Sequence, residues 1–209
     1  SFTNINNTDR NRIAALDSIS GNATSWDPNS TSTVLDLAVS GDTIYAGGNF
    51  TKIGNQARNY IAALDSSGAA TSWSPFANST VNTLVVSGST VYAGGIFTTI
   101  GGQARNRIAA INSLGLATNW NPNANGTSQV NKLVVSGTTV YVGGVFAIIG
   151  GQTRNNIAAL DSSGVATSWN PNASGTVNAV MLSGGTVYIG GSFSTINGFS
   201  STNFSIIQK

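Results

Sequence analysis

"TVYAGGIFTTIGGQARNRIAAI" occupies residues 90 to 111, and close rewordings of it begin at Thr43, Thr139 and Thr186. A repeat on this scale governs the fold, so the unit is established before any single residue is weighed. Aligned on Tyr-x-Gly-Gly, the copies place Tyr45, Tyr92, Tyr141 and Tyr188 at intervals of 47, 49 and 47 residues. Trp26, Trp73, Trp120 and Trp169 keep the same phase, each two residues ahead of Pro28, Pro75, Pro122 and Pro171. Arg10, Arg58, Arg105 and Arg154 do so too, each opening an Arg-Asn pair shortly before Ile-Ala-Ala.

Inside one unit the pattern is that of short strands. "VNTLVVSG" (81 to 88) and "TVYAGGIF" (90 to 97) are β-branched runs on either side of Ser-Gly-Ser, which predicts a hairpin. "RIAAI" (107 to 111) is a third apolar run, closed by a turn at 112 to 115. "LATNW" (116 to 120) is a fourth, stopped by Asn-Pro. No segment sustains a 3.6-residue period, and five-residue runs between turn signals are too short for helices. Four short antiparallel strands in about 48 residues, with paired glycines and one Trp, predict a β-propeller blade. Each such sheet has two apolar faces that only neighbouring sheets can cover, which is why the unit recurs. The expected fold is all-β and β-propeller-like, one domain over residues 1–209. Its units run roughly 1–33, 34–80, 81–129, 130–176 and 177–209, the first and last being partial blades.

Composition narrows function. Charged residues make up 8% of the chain, about a third of the usual share, with net charge +2 and no basic run, so nucleic acid is not an expected partner. Cys and His are absent. That removes disulfides, thiolate and imidazole ligands, Cys nucleophiles and His bases. No apolar stretch approaches the roughly 20 residues of a membrane-spanning helix. The acidic residues are too few for a convincing carboxylate pair, and although Asp36 and Asp42 offer oxygen ligands for Ca²⁺, no Asp-rich loop surrounds them. Neither enzyme activity nor a cofactor is expected. The chain starts on Ser1 without a charged-then-apolar leader, which fits a processed secreted protein or a piece of a longer one.

An apolar strand, then Tyr-x-Gly-Gly, then an apolar strand ending in Asp, then Trp, resembles the kelch repeat. "GGNFTKIGNQARNYIAALDSSGAATSW" (47 to 73) is more closely similar to the bacterial delta-sixty repeats, a kelch-like propeller family of secreted and surface proteins. The resemblance implies the fold and an extracellular or cell-surface location; it implies little about activity. A copper oxidase on such a propeller would need His ligands, which are missing.

Two residue series are candidate ligand or inter-blade contacts. Trp26, Trp73, Trp120 and Trp169 are either a sugar-stacking platform or, the favoured reading, filling between blades. Arg10, Arg58, Arg105 and Arg154 are either an anion-binding circle or, again favoured, donors to carbonyls of the next blade or to the Asp ending the third strand. That Asp is Asp17, Asp65 or Asp161, with Asn112 in the remaining copy, so the position needs an acceptor more than a charge. The eight Asn-x-Ser/Thr sequons, at Asn6, Asn22, Asn29, Asn49, Asn78, Asn125, Asn172 and Asn203, arise readily in a chain so rich in these residues and are not evidence of glycosylation.

The Ile-Ala-Ala strand has a divergent fifth copy, "NFSIIQK" (203 to 209), so both ends look like incomplete blades. A closed ring and an open arrangement that seeks strands from another molecule are both consistent with this. Ser1, Phe2, Phe204, Ile206 and Ile207 form the candidate assembly segment. The leading expectation is a structural or adhesive surface module that associates with itself, head to tail into a filament, or with other surface proteins. The alternative is a carbohydrate- or peptide-binding propeller using one face of a closed ring.

Overall fold

The computed structural model describes residues 1–125 and 129–209. The described residues contain no helix. Four three-stranded antiparallel sheets follow one another along the chain. Blade 1 consists of Val34–Ser40, Thr43–Gly48 and Ile61–Leu64; blade 2 of Val81–Ser87, Thr90–Gly95 and Ile108–Ile111. Blade 3 consists of Gln129–Ser136, Thr139–Val145 and Ile157–Leu160; blade 4 of Thr176–Ser183, Thr186–Ser192 and Phe204–Gln208. In every blade the middle strand lies between the other two, with equivalent register: Tyr45 faces Ala63, Tyr92 faces Ala110 and Tyr141 faces Ala159. Tyr188 faces Ile206.

The first and second strands meet through two-residue turns in which Gly41, Gly88, Gly137 and Gly184 have φ of 56 to 59°. Such left-handed turns match strand twist and favour glycine. The paired glycines of the second strand have two separate causes. A Cβ on Gly47, Gly94 or Gly143 would come within 3.0 Å of a valine side chain of the following blade. One on Gly48, Gly95, Gly144 or Gly191 would strike a carbonyl oxygen of its own blade's first strand or of the residue before it. The first glycine therefore sets blade-to-blade approach and the second sets approach within the blade.

The fourth segment differs from expectation. It joins the third strand through one bridge per blade, Leu64 to Ala70, Ile111 to Ala117 and Leu160 to Ala166. The ladder stops because the Thr71, Thr118 and Thr167 hydroxyls accept the N–H of the Trp two residues on, turning the chain away before Pro. A two-stranded hairpin between second and third strands, such as Lys52–Ile53 with Gln56–Ala57, was not anticipated from the sequence. Its signal was the Gly-Asn or Gly-Gly pair at 54–55, 101–102 and 150–151.

The core is divided among the gaps between blades. Ile61 and Ala63 of blade 1 pack with Val81, Leu84, Val91 and Ala109 of blade 2. Ile108 and Ala110 of blade 2 pack with Val130, Leu133 and Leu160 of blade 3, and Ile157 and Ala159 of blade 3 with Val177, Val180 and Ile189 of blade 4. Each blade thus has a front face, turned to the next blade, and a back face, turned to the one before.

The N-terminal residues form a half-blade. A hairpin, Asn4–Ile5 with Thr8–Asp9, precedes residues 13–16, which occupy the third-strand place and carry the bridge Leu16 to Ala23. Ile13 and Trp26 lie against the back of blade 1, beside Ala46, Leu64 and Val34. First and second strands of this half-blade are lacking among the described residues.

Candidate functional site

Three Trp residues sit edge-on to the Tyr of their own blade. Tyr45 and Trp73, Tyr92 and Trp120, and Tyr141 and Trp169 have centroids 5.0, 5.1 and 5.2 Å apart, with interplanar angles of 80 to 83°. Each indole N–H reaches the following blade. Trp26 donates to the Asp65 carbonyl, Trp73 to Asn112, Trp120 to Asp161 and Trp169 to Gln208, at 2.9 to 3.1 Å. The series therefore links blades. Its burial is graded, however: Trp73 and Trp120 are 7% exposed, while Trp26 and Trp169 at the ends are half-buried. With the Trp73 and Trp120 rings buried, the four indoles do not form a repeated exposed stacking platform.

The Arg residues also serve the scaffold, with partners other than those expected from sequence. Arg58 donates to the carbonyls of Ala57 and Thr71, Arg105 to Ala104 and Thr118, and Arg154 to Thr153 and Thr167, at 2.6 to 2.8 Å. Arg10 binds the Asp9 and Thr24 carbonyls in the same way. Each guanidinium fastens the fourth segment to the hairpin of its own blade, not to the next blade, because the fork spans only the gap between adjacent segments. Arg10 adds a longer contact to Asp27, 3.8 Å.

The acceptor position behaves as the Asn112 substitution implied. Asp65 accepts the Ser67 hydroxyl at 2.6 Å and the Ser67 and Ala69 N–H groups, and Asp161 accepts the same set from Ser163 and Val165. Asn112 takes the N–H groups of Leu114 and Leu116 at 2.9 and 3.0 Å. The Ser67 and Ser163 hydroxyls hold the Asp65 and Asp161 carboxyls below their ordinary pKa, and the Ser20 N–H does so for Asp17. Asp36 accepts the Leu84 N–H at 2.9 Å across the blade gap and lies 3.7 Å from Lys132. No group of three or more His, Cys, Asp or Glu gathers among the described residues. The Asn125 sequon extends outside the described residues.

What the structure leaves available is at the two ends. On the back of blade 1, Leu37 is 46% exposed, whereas its equivalents Leu84, Leu133 and Val180 are 2 to 4% exposed. Leu35 and Val39 are exposed beside it, and a groove of about 440 Å³ runs between this face and Phe2, Ile5, Ile13 and Leu16. On the front of blade 4, Phe204 and Ile206 are 55 and 56% exposed, whereas Ile61, Ala63, Ile108 and Ala110 are buried at those positions. Met181 is exposed alongside. A second groove, about 710 Å³, flanks Phe204–Gln208 where other blades hold the fourth segment; Trp169, Pro171, Asn197 and Ile207 line it. Of the candidate assembly residues, Phe2 lines the first groove and Ile206 and Ile207 the second.

Comparison with known proteins bears on the fold. A family model described as a beta-propeller domain of unknown function (DUF5122) matches residues 42–70, the second strand, hairpin and third strand of blade 1. Among solved structures, the chain is similar to the computationally designed Ika4 protein, with a TM-score of 0.57 and 15% identity over 85% of this chain and 92% of that one. It is also similar to the computationally designed Ika8 protein, with a TM-score of 0.56 and 15% identity over 87% of this chain and 47% of that one. No curated protein matches. The chain has a β-propeller fold; no helix among the described residues is long and apolar enough to cross a membrane.

Proposed function

We propose that this chain is a non-enzymatic, extracellular structural module that associates with its own kind head to tail, building surface-exposed or adhesive filaments. The observation that carries the reading is the pair of open faces. The back of blade 1 and the front of blade 4 are the two halves of an interface formed three times inside the chain, and each leaves large apolar side chains in water. Exposed patches of this kind mark interaction surfaces. A contact between unlike faces that does not close on itself propagates.

The resemblance of residues 47–73 to delta-sixty repeats supports an extracellular setting. The sequence has no Cys or His, and among the described residues no group of three or more Asp or Glu gathers as a ligand set. The glycan-binding alternative draws less support, since each repeated indole N–H and both terminal guanidinium nitrogens of each repeated Arg donate to carbonyls of the chain itself.

Light scattering across a dilution series, with electron microscopy of the concentrated sample, tests the reading. Mass rising with concentration, and fibres at the upper end, are the expected outcome. A particle of 21.3 kDa at every concentration would sink it.

A further inference from the structure

We propose that residues 2–28 of a second copy supply the hairpin, third strand and fourth segment of a blade whose first two strands, Thr176–Ser183 and Thr186–Ser192, belong to the first copy. This rests on the self-association reading above and specifies its interface.

The orphaned partners identify each other. Three Tyr–Trp edge contacts are made within the chain, and Trp26 and Tyr188 are the members of the two series without one. Among the described residues, Trp26 has no second strand beside its third-strand segment and Tyr188 has no fourth segment beside its blade. Joined, they complete a fourth such pair. Residues 13–26 pack on the back of blade 1 as the third strand and fourth segment of each interior blade pack on the blade that follows. Ile13 and Trp26 cover part of the back of blade 1, Leu35 and Leu37 line the groove that two further strands would fill, and Val39 is exposed farther along the same strand.

Residues 2–28 carry the hairpin, Arg, third-strand and Trp-x-Pro markers of the unit. Arg10 secures Thr24, residues 13–16 read Ile-Ala-Ala-Leu, and the far edge of that segment is paired with no strand. The segment now on the edge of Thr186–Ser192 carries few of them. Ser201 stands where the others have Arg, Phe204 where they have Ile, and Ile206 where they have the alanine turned toward the next blade. Large side chains at 204 and 206 obstruct the close blade contact that Ile61 with Ala63, and Ile108 with Ala110, permit. Phe204–Gln208 is therefore a placeholder that residues 13–16 of the second copy displace, pairing Ala14 with Ile189 and Ala15 with Tyr188 as Ala109 pairs with Ala93 and Ala110 with Tyr92.

Two further positions fit. A Cβ on Gly190 meets nothing closer than Ala179 at 3.6 Å, although its equivalents are pressed against the valine of the next blade; in the joined blade that valine is Val34 of the second copy. Asn178 stands where Asn82 and Asn131 donate to the Val130 and Val177 carbonyls, and its counterpart is the Val34 carbonyl.

The chain contains no Cys, so engineered pairs report cleanly. The full chain carrying Ala14→Cys and Ile189→Cys is oxidised and run without reductant, in parallel with Ile189→Cys and Ser205→Cys, which locks the placeholder. Neighbouring antiparallel strands lie within disulfide reach. The first pair should give covalent dimers or a ladder and the second a monomer. Gly190→Ala should fold with an unchanged melting temperature yet associate at least about tenfold more weakly, since its methyl meets nothing until a blade is added. If light scattering shows association but the Ala14–Ile189 pair forms no interchain bond and Gly190→Ala associates normally, the exchange is wrong while self-association stands. An intramolecular Ala14–Ile189 bond would show closure within one molecule and overturn the proposal. Monomers throughout would remove both the proposal and the reading beneath it.

Discussion

Phe76 is the clearest departure from the repeat at the scale of single residues. It has a φ of 48° and is 53% exposed, in the place of Asn29, Asn123 and Asn172, whose φ values are 49 to 51°. Those three accept hydrogen bonds from Asn11, Asn106 and Asn155 at 2.9, 2.7 and 2.6 Å. A bulky aromatic is disfavoured in this backbone region, and asparagine tolerates it. Phe76→Asn is expected to stabilise by about 1 kcal/mol, raising Tm by about 2 to 4 °C in a chain of this size; a lower Tm would show that Phe76 packs usefully. The Trp series divides by position. Trp120→Ala should cost about 3 to 5 kcal/mol in denaturant unfolding, because it removes a buried ring, its Tyr92 contact and its bond to Asp161. Trp26→Ala, half-buried and without a Tyr, should cost about 1 to 2 kcal/mol. Equal costs would deny the gradient.

At the scale of the element, the turn closing the third strand carries the pH dependence. The Asp17, Asp65 and Asp161 carboxyls have folded pKa values below the ordinary one. A lowered folded pKa means the unfolded chain binds protons first as pH drops. The stabilisation is complete above the unfolded carboxylate pKa of about 4 and is lost as pH falls through the lowered folded values. Replacing Asp65 and Asp161 by Asn, as in the Asn112 turn, should flatten the loss of Tm as pH falls below about 4 while leaving Tm near neutrality little changed. A variant that kept the full acid sensitivity would place its origin elsewhere. The strands themselves were legible from β-branched alternation and Gly turns. The fourth segment was not, since "LATNW" has strand composition but its Thr hydroxyl captures the Trp N–H and ends the ladder after one bridge.

For the molecule as a whole, association should be driven by apolar burial. Its terminal faces present Leu35, Leu37, Val39, Met181, Phe204 and Ile206, and only two ion pairs occur among the described residues. Moving from about 0.05 M to about 0.5 M NaCl should therefore leave the association constant within about threefold or raise it, as sedimentation would measure. A fall of tenfold or more would point to charged contacts. Stability in such an array is close to a sum of unit and nearest-neighbour terms, so an end blade with one neighbour is the first to open.

The sequence by itself determined the repeat, the hairpin and third strand of each blade and the place of each marker, because hydrogen-bonded turns and alternating side chains act within a few residues and the repeat prints them in phase. Asn112 alone pointed to a turn that needs an acceptor more than a charge. Which copy of each marker is buried was decided only by the tertiary structure. Leu37 and Leu84, or Ile206 and Ala110, hold the same station in their strands, and their exposure differs because the neighbour that covers a blade's face lies a whole unit away along the chain. The same distance explains why the Arg partners were misplaced: the guanidinium bridges segments 13 or 14 residues apart within one blade, a proximity that exists only once the hairpin has folded back.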